Sequence, residues 1–280
     1  MYKIGLSTAT KITEELFASY KRAGIDCMEI SRDKDETDSY DYDKIKEWSE
    51  KYGIELYSFH LPFCPFAEID ISSPALAERS IEYLKSIIDK ATIIGIDKFI
   101  IHASGEPIEE NDRKSRMECA KNSLNILATY AKERGAVICV EDLPRTCLGR
   151  DSSDILELVS ANENLRVCFD TNHLLKEENI DFIRTVGDKI VTLHVSDYDR
   201  VNERHWLPGE GINDWQAMLC ELEKIGYSGA WLYEIAYQTG TILRDRDITD
   251  EDFVKNANEL FENKPITLFS KPKPDLGYWG

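Results

Sequence analysis

Short, nearly continuous apolar stretches alternate with longer amphipathic segments along most of this chain. Apolar runs of this length are typical of parallel strands that are buried on both faces of a sheet. Eight of them occur, at residues 2–6, 26–30, 54–59, 98–101, 136–140, 165–169, 189–193 and 229–233. Eight successive β–α units predict an α/β fold, a (β/α)8 TIM barrel, for which about 250 residues is the usual size.

The amphipathic segments predict the helices between these strands. Thr13 is expected to cap the first helix, and Ser73-Pro74 to open a long one. Later helices are predicted at residues 111–134, 151–162, 176–186, 213–225 and 249–261. No linker or change of composition marks a second domain. We therefore assign residues 1–263 to one barrel and the proline-rich residues 264–280 to a C-terminal tail that packs on the barrel or on a partner subunit.

Three carboxylates and one imidazole end the fifth to eighth predicted strands. They are Glu141, Asp170, His194 and Glu234. Neighbouring strands of a barrel point their carboxyl ends toward a common centre, and active sites of TIM barrels are built at that face. This mixed set of oxygen and nitrogen ligands suits one divalent ion, Mn²⁺, Zn²⁺, Co²⁺ or Mg²⁺.

The other four histidines follow the same pattern. His60 and His102 end the third and fourth predicted strands, His173 lies three residues after Asp170, and His205 lies in the loop after the seventh strand. Histidines placed only for packing would also fall on helices and in the middle of strands. We expect His60 and His102 to line a substrate pocket, and His173 to approach the metal or a substrate oxygen.

The overall charge narrows the range of partners. The chain of 280 residues has a formal net charge of −18 and a pI of about 4.8, whereas tight binding of nucleic acid needs a basic stripe. No apolar stretch approaches the roughly 20 residues of a membrane helix, and the amino terminus lacks a signal-peptide run. The seven cysteines are odd in number and lack CxxC spacing. We expect a cytoplasmic protein with reduced thiols that binds neither nucleic acid nor membrane.

Three motifs give the chain a resemblance to a known family. They are VCFDTNH (167–173), LHVSD (193–197) and ERHWLPGEGINDW (203–215). They resemble strand ends and a substrate-closing loop of the xylose isomerase-like TIM-barrel superfamily, in particular its sugar phosphate isomerase/epimerase branch, which is related to endonuclease IV. The resemblance covers nearly the whole chain, and it implies that the four strand-end residues named above hold one divalent metal ion.

The resemblance also implies an activity, the metal-dependent isomerisation or epimerisation of a small-molecule sugar or sugar phosphate. Both reactions begin with removal of a proton next to a carbonyl, and a divalent ion stabilises the resulting enediolate. Glu141 and Glu234 are the candidate catalytic acid/base pair. The candidate substrate-binding residues are His60, His102, His173, Arg200 and His205. Whether the chain forms a homo-oligomer is left open.

Two other activities use the same barrel. A dehydratase of an inosose or dehydroshikimate-type substrate begins with the same proton removal, so the sequence separates it poorly from an isomerase. An endonuclease IV-like phosphodiesterase would use His60, His102, His173 and His205 as further ligands of a three-zinc site. Glu203 stands where that family has the aspartate of Asp-Arg-His, and the acidic loops argue against a DNA substrate. A non-catalytic sugar-binding barrel is a further alternative.

One departure from the epimerase pattern concerns the substrate. Ketohexose 3-epimerases place a second glutamate six residues after the glutamate of the fifth strand, and this chain has Cys147 there. The resemblance therefore leaves open a different polyol, a keto acid or a phosphorylated sugar.

Overall fold

The chain folds into a nearly closed barrel of eight parallel strands. The computed structural model describes residues 1–8, 10–31, 33–63, 68–274 and 276–278. The strands are β1 (Ile4–Ser7), β2 (Cys27–Ser31), β3 (Glu55–His60), β4 (Lys98–His102), β5 (Val137–Glu141), β6 (Arg166–Asp170), β7 (Ile190–His194) and β8 (Trp231–Tyr233). Strand β1 pairs with both β2 and β8, and a bridge between Val195 and Tyr233 connects β7 with β8. The predicted (β/α)8 TIM barrel is confirmed.

Nine α-helices lie in the described part of the chain. They are α1 (Glu14–Ala23), α2 (Lys34–Asp38), α3 (Tyr42–Tyr52), α4 (Ala77–Ile93), α5 (Arg113–Lys132), α6 (Ser152–Val159), α7 (Asn179–Val186), α8 (Trp215–Lys224) and α9 (Asp250–Phe261). Thr13 caps α1 as predicted, since its hydroxyl accepts the backbone N–H of Leu16. None of these helices has both the length and the apolar character needed to cross a membrane.

Some boundaries differ from the sequence prediction. Helix α4 begins at Ala77 rather than at Ser73-Pro74, because the backbone N–H of Ser73 is bonded to the carbonyl of Asp70 and the following residues stay in turns. Helix α7 begins at Asn179, later than predicted. The five-residue helix α2 and a small two-stranded sheet were not predicted, because elements this short show no period. In this sheet β9 (Ile242–Arg244) pairs antiparallel with β10 (Ser270–Pro272).

Residues 277 and 278 of the tail lie against the loop that follows β7. The side-chain amide of Asn202 donates to the carbonyl of Tyr278 at 2.8 Å, and the guanidinium of Arg204 donates to the carbonyl of Gly277 at 2.8 Å. This loop also carries Glu203 and His205, so the tail contacts a segment that reaches the carboxyl ends of the strands.

The interior of the barrel is layered along the strands. Ile100, Cys139 and Cys168 form a small buried cluster inside it. Successive side chains of a strand alternate between the two faces of the sheet. His102, Glu141 and Asp170, two residues further along the same strands, therefore face the same interior and lie above this apolar layer.

Candidate active site

The register of the parallel strands places the predicted metal ligands side by side. His102 pairs with Glu141 across β4 and β5, and Asp170 pairs with His194 across β6 and β7. Glu234 directly follows β8. Ligand atoms of Glu141, Asp170, His194 and Glu234 all lie within 4.8 Å of one another, which is the spacing expected of side chains that share one ion.

His194 lies at the centre of this group. Its Nδ1 is 2.8 Å from Oε1 of Glu141, 3.3 Å from Oε2 of Glu234 and 4.0 Å from Oδ2 of Asp170. The side chains of His194, Asp170 and Glu141 are almost completely buried, whereas that of Glu234 is 24% exposed. Glu234 is thus the member of the group that is most open to the surroundings.

Asp170 shows that the group suits a cation. Its Oδ2 is buried and has no hydrogen-bond partner among the described residues, and Nε2 of His173 lies 3.6 Å from it, beyond hydrogen-bond distance. Burial raises the pKa of Asp170 to about 7, an effect that His173 opposes and that the negative charges of Glu234 and Glu141 strengthen. A buried carboxylate oxygen without a donor, next to two further carboxylates, is where a divalent ion would be stabilised.

Glu141 connects the predicted ligands with two of the predicted substrate-binding histidines. Its Oε2 is 3.1 Å from Nε2 of His60 and 3.1 Å from Nε2 of His102, while Oε1 faces His194. Burial alone would raise the pKa of Glu141, but the imidazoles of His194 and His102 lower it well below its usual value. Glu141 is therefore an ionised carboxylate with both oxygens facing imidazoles.

A second group of ligand-type side chains lies beside the first. His173, Glu203 and His205 each offer an atom, and these atoms lie within 4.8 Å of one another. Nε2 of His173 is 3.3 Å from Oε2 of Glu203. The other oxygen of Glu203 is 2.8 Å from Nη1 of Arg145, so a guanidinium already neutralises part of the charge of this group.

A cavity of about 380 Å³ opens beside both groups, within the range of about 300–1,000 Å³ that is common for small-molecule sites. Its lining includes all four of the histidines predicted to bind substrate, namely His60, His102, His173 and His205. Glu141 and Glu234 line it as well. The loops after β4 and β5 form its outer wall through Glu106, Arg145 and Cys147.

Arg200 is the predicted substrate-binding residue that the structure does not bring to this cavity. Its guanidinium pairs with the carboxylate of Glu178, and it is absent from the cavity lining. Cys147 does line the cavity, but burial raises the pKa of its thiol to about 12. A neutral thiol at this position does not replace the carboxylate of a second glutamate.

Three charged residues near the site were not assigned a role from the sequence. Glu29 on β2 is fully buried, with its Oε1 3.0 Å from Nε2 of His194. A glutamate in the middle of an otherwise apolar strand was a signal that could have identified it. Arg145 and Glu106 carried no such signal, because their proximity depends on how two loops pack. Nε of Arg145 donates to both carboxylate oxygens of Glu106 at 3.0 Å.

A sequence profile described as xylose isomerase-like TIM barrel matches residues 17–257. The chain belongs to this family. Its alignments with curated relatives span 50–70% of the length of those proteins. One of these relatives is the D-psicose 3-epimerase of Agrobacterium fabrum, which is 25% identical over 169 residues, or 53% of this chain and 55% of that protein.

Solved structures of sugar epimerases share the fold. A D-tagatose 3-epimerase-like protein superposes with a TM-score of 0.79 at 20% identity, covering 93% of this chain and 97% of the other. The D-psicose 3-epimerase of Clostridium cellulolyticum, solved with D-tagatose, superposes with a TM-score of 0.72 at 22% identity, covering 85% and 86%. At this level of identity the similarity shows the xylose isomerase-like fold and leaves the substrate of this family member to be argued from its own site.

Proposed function

We propose that this protein is a sugar isomerase or epimerase that depends on one divalent metal ion. The observation that carries the proposal is the buried group of Glu141, Asp170, His194 and Glu234 beside a cavity of small-molecule size. Carboxylates buried this close together repel one another unless a cation lies among them. The sugar epimerases among the relatives support the same class of reaction.

The four residues would hold the ion, which would supply a Lewis acid for the carbonyl and hydroxyl oxygens of a bound sugar. The carboxylates of Glu141 and Glu234 would move the protons. Glu234 is the better placed to remove the proton from carbon, because its side chain is 24% exposed and lines the cavity. Glu141 would return a proton from another side of the substrate after receiving it from His60, whose Nε2 lies 3.1 Å from its Oε2. His102 would orient the same oxygen, and solvent would then reprotonate His60 and take up the proton held by Glu234.

The remaining cavity residues would orient the sugar. His173 and His205 can hydrogen-bond hydroxyl groups, and Glu106 and Glu203 can accept hydrogen bonds from them. Arg145 supplies the guanidinium of the described lining, and it is already engaged by Glu106, Glu203 and the amide oxygen of Asn202 at 2.7 Å. Outside the proposed metal ligands, the described lining has two carboxylates, Glu106 and Glu203, and an engaged guanidinium, which favours an uncharged sugar over a sugar phosphate.

Exchange of a carbon-bound hydrogen with solvent tests the proposal. The metal-loaded protein is incubated in D2O with a panel of free ketoses, aldoses and sugar phosphates, and deuterium incorporation is followed by NMR. We expect exchange with at least one sugar, and a loss of about 10²–10⁴-fold in Glu234→Gln, because a positioned general base contributes about that much. Glu178→Gln, which removes an exposed carboxylate that pairs with Arg200 outside the cavity, should exchange like wild type.

The product of the same reaction also distinguishes a sugar isomerase or epimerase from a dehydratase. A product that has lost water, rather than an isomer or epimer, would assign that reaction instead. Metal-loaded protein that exchanges no substrate of the panel would contradict the proposal.

A specific observation favours a second candidate, an endonuclease IV-like phosphodiesterase. Two groups besides Glu141, Asp170, His194 and Glu234 could each hold an ion. One consists of His60, Glu141 and His194, and the other of His173, Glu203 and His205. Three metal ions per chain, together with cleavage of a duplex that contains an abasic site, would support this function. One ion per chain and no cleavage would support sugar chemistry. The net charge of −18 favours the latter outcome.

A further inference from the structure

Three of the cavity histidines are held in the same way. Each has Nδ1 near a backbone carbonyl: His60 near that of the next residue at 3.1 Å, His173 near that of Asp142 at 2.8 Å, and His205 near that of Glu234 at 3.3 Å. A carbonyl accepts hydrogen bonds only, so Nδ1 carries the proton in these rings. Nε2 is then the atom that the rings of His60 and His173 present to the carboxylates of Glu141 and Glu203.

His194 is oriented in the opposite sense and has a different anchor. Its Nδ1 faces the carboxylates of Glu141 and Glu234, and its Nε2 lies 3.0 Å from Oε1 of Glu29. The anchor is therefore a carboxylate rather than a carbonyl. Glu29 and His194 are both fully buried, and 165 positions of sequence separate them.

Glu29 is itself held in place by two neighbouring strands. The hydroxyl of Ser7 on β1 donates to Oε1 at 2.9 Å, and the hydroxyl of Ser58 on β3 donates to Oε2 at 2.7 Å. Both carboxylate oxygens thus have a donor besides His194. These two serine donors hold the carboxylate of Glu29 as a hydrogen-bond acceptor inside the barrel, although the rest of β2 is apolar.

We infer that Glu29 is a positioning residue for the metal site, an inference that rests on the metal ion of the proposed function. Glu29 accepts the N–H at Nε2 of His194, which would leave the lone pair of Nδ1 for an ion held among Glu141, Asp170 and Glu234. A carboxylate that accepts from the far nitrogen of a ligating imidazole fixes the ring and strengthens it as a ligand. Glu29 is not among the described residues that line the cavity.

Metal affinity measured by competition with a chelator tests this role without reference to activity. Glu29→Gln keeps the shape and an acceptor oxygen but removes the charge, and we expect its affinity for Zn²⁺ or Co²⁺ to fall by about 10- to 100-fold. Ser58→Ala is the matched control: it removes a hydrogen bond to the same carboxylate without removing its charge or its contact with His194, and its affinity should stay within about threefold of wild type. Wild-type affinity in Glu29→Gln would overturn the inference.

A second measurement on the wild-type protein keeps the inference testable if Glu29→Gln does not fold. The chain has five histidines, so ¹⁵N-labelled imidazoles can be followed by NMR in the Zn²⁺-loaded protein. We expect His194 to be protonated at Nε2 and bound through Nδ1. Binding through Nε2 would overturn the inference and leave the proposed function standing. Wild-type protein that binds no metal would overturn both.

Discussion

Replacing Asp170 with asparagine should stabilise the metal-free protein and weaken its binding of the metal ion. The side chain is fully buried, and in the part of the chain that the structure describes nothing donates a hydrogen bond to Oδ2. Asparagine has nearly the same shape and keeps an acceptor for the backbone N–H of Asn172, which donates to Oδ1 at 2.7 Å. The variant should gain stability without the ion and lose affinity for it, because the negative charge of Asp170 is costly only while no cation faces it.

The pKa of Asp170 sets how much the substitution changes the free energy of unfolding of the metal-free protein. Burial raises this pKa from 3.8 to about 7, opposed by His173 and strengthened by Glu234 and Glu141. One pKa unit corresponds to about 1.4 kcal/mol, so the ionised carboxylate costs the metal-free fold at most about 4 kcal/mol above pH 7. Below about pH 4 the carboxyl is protonated in both the folded and the unfolded state, and the cost vanishes. Asp170→Asn should therefore raise the free energy of unfolding by about 1–4 kcal/mol near pH 8 and by less near pH 5.

Urea unfolding followed by tryptophan fluorescence, with a chelator present, measures this difference. The control Asp43→Asn removes an exposed carboxylate and should change the free energy of unfolding by less than about 0.5 kcal/mol. Metal at about 100 times its Kd should stabilise wild type by about 2.7 kcal/mol, and the variant by much less. If metal-free Asp170→Asn were less stable than wild type near pH 8, or if its gain were the same at both pH values, the electrostatic argument would be refuted.

Three further predictions concern the loops and the substrate. Asp197→Asn should lower the free energy of unfolding by about 2–4 kcal/mol in chemical denaturation. Oδ2 of Asp197 accepts from the backbone N–H of Gly209 and the indole N–H of Trp215, while Oδ1 accepts two backbone N–H groups. A loss below about 0.5 kcal/mol would contradict these hydrogen bonds. Arg200→Ala should leave KM for the best sugar of the panel within about twofold of wild type, since its guanidinium pairs with Glu178 outside the cavity; a KM raised about tenfold would place Arg200 at the substrate. Free ketoses should have a kcat/KM at least about tenfold above that of their phosphate esters, because the lining is acidic, and the reverse order in steady-state kinetics would refute the charge argument.

The sequence by itself determined the barrel and the residues at its strand ends. Parallel strands buried on both faces must be apolar throughout, so eight short apolar runs separated by amphipathic segments predicted β1 to β8. Because the strands are parallel, the last residues of β5, β6 and β7 must lie at one face. His194, Asp170 and Glu141 were therefore predicted to come together before any distance was known, and their ligand atoms do lie within 4.8 Å.

Only the tertiary structure decided which partners those residues have. Glu29 and His194 meet across the barrel, and Arg145 meets Glu106 and Glu203 through loops that follow different strands. Such contacts depend on register and loop packing, which leave no periodic signal in a single sequence. Loop packing also decides the position of Arg200. Its spacing from His194 suggested a substrate contact, but its guanidinium pairs with the carboxylate of Glu178. Local patterns of burial thus specify where the site is, and long-range packing specifies how its side chains are oriented and charged.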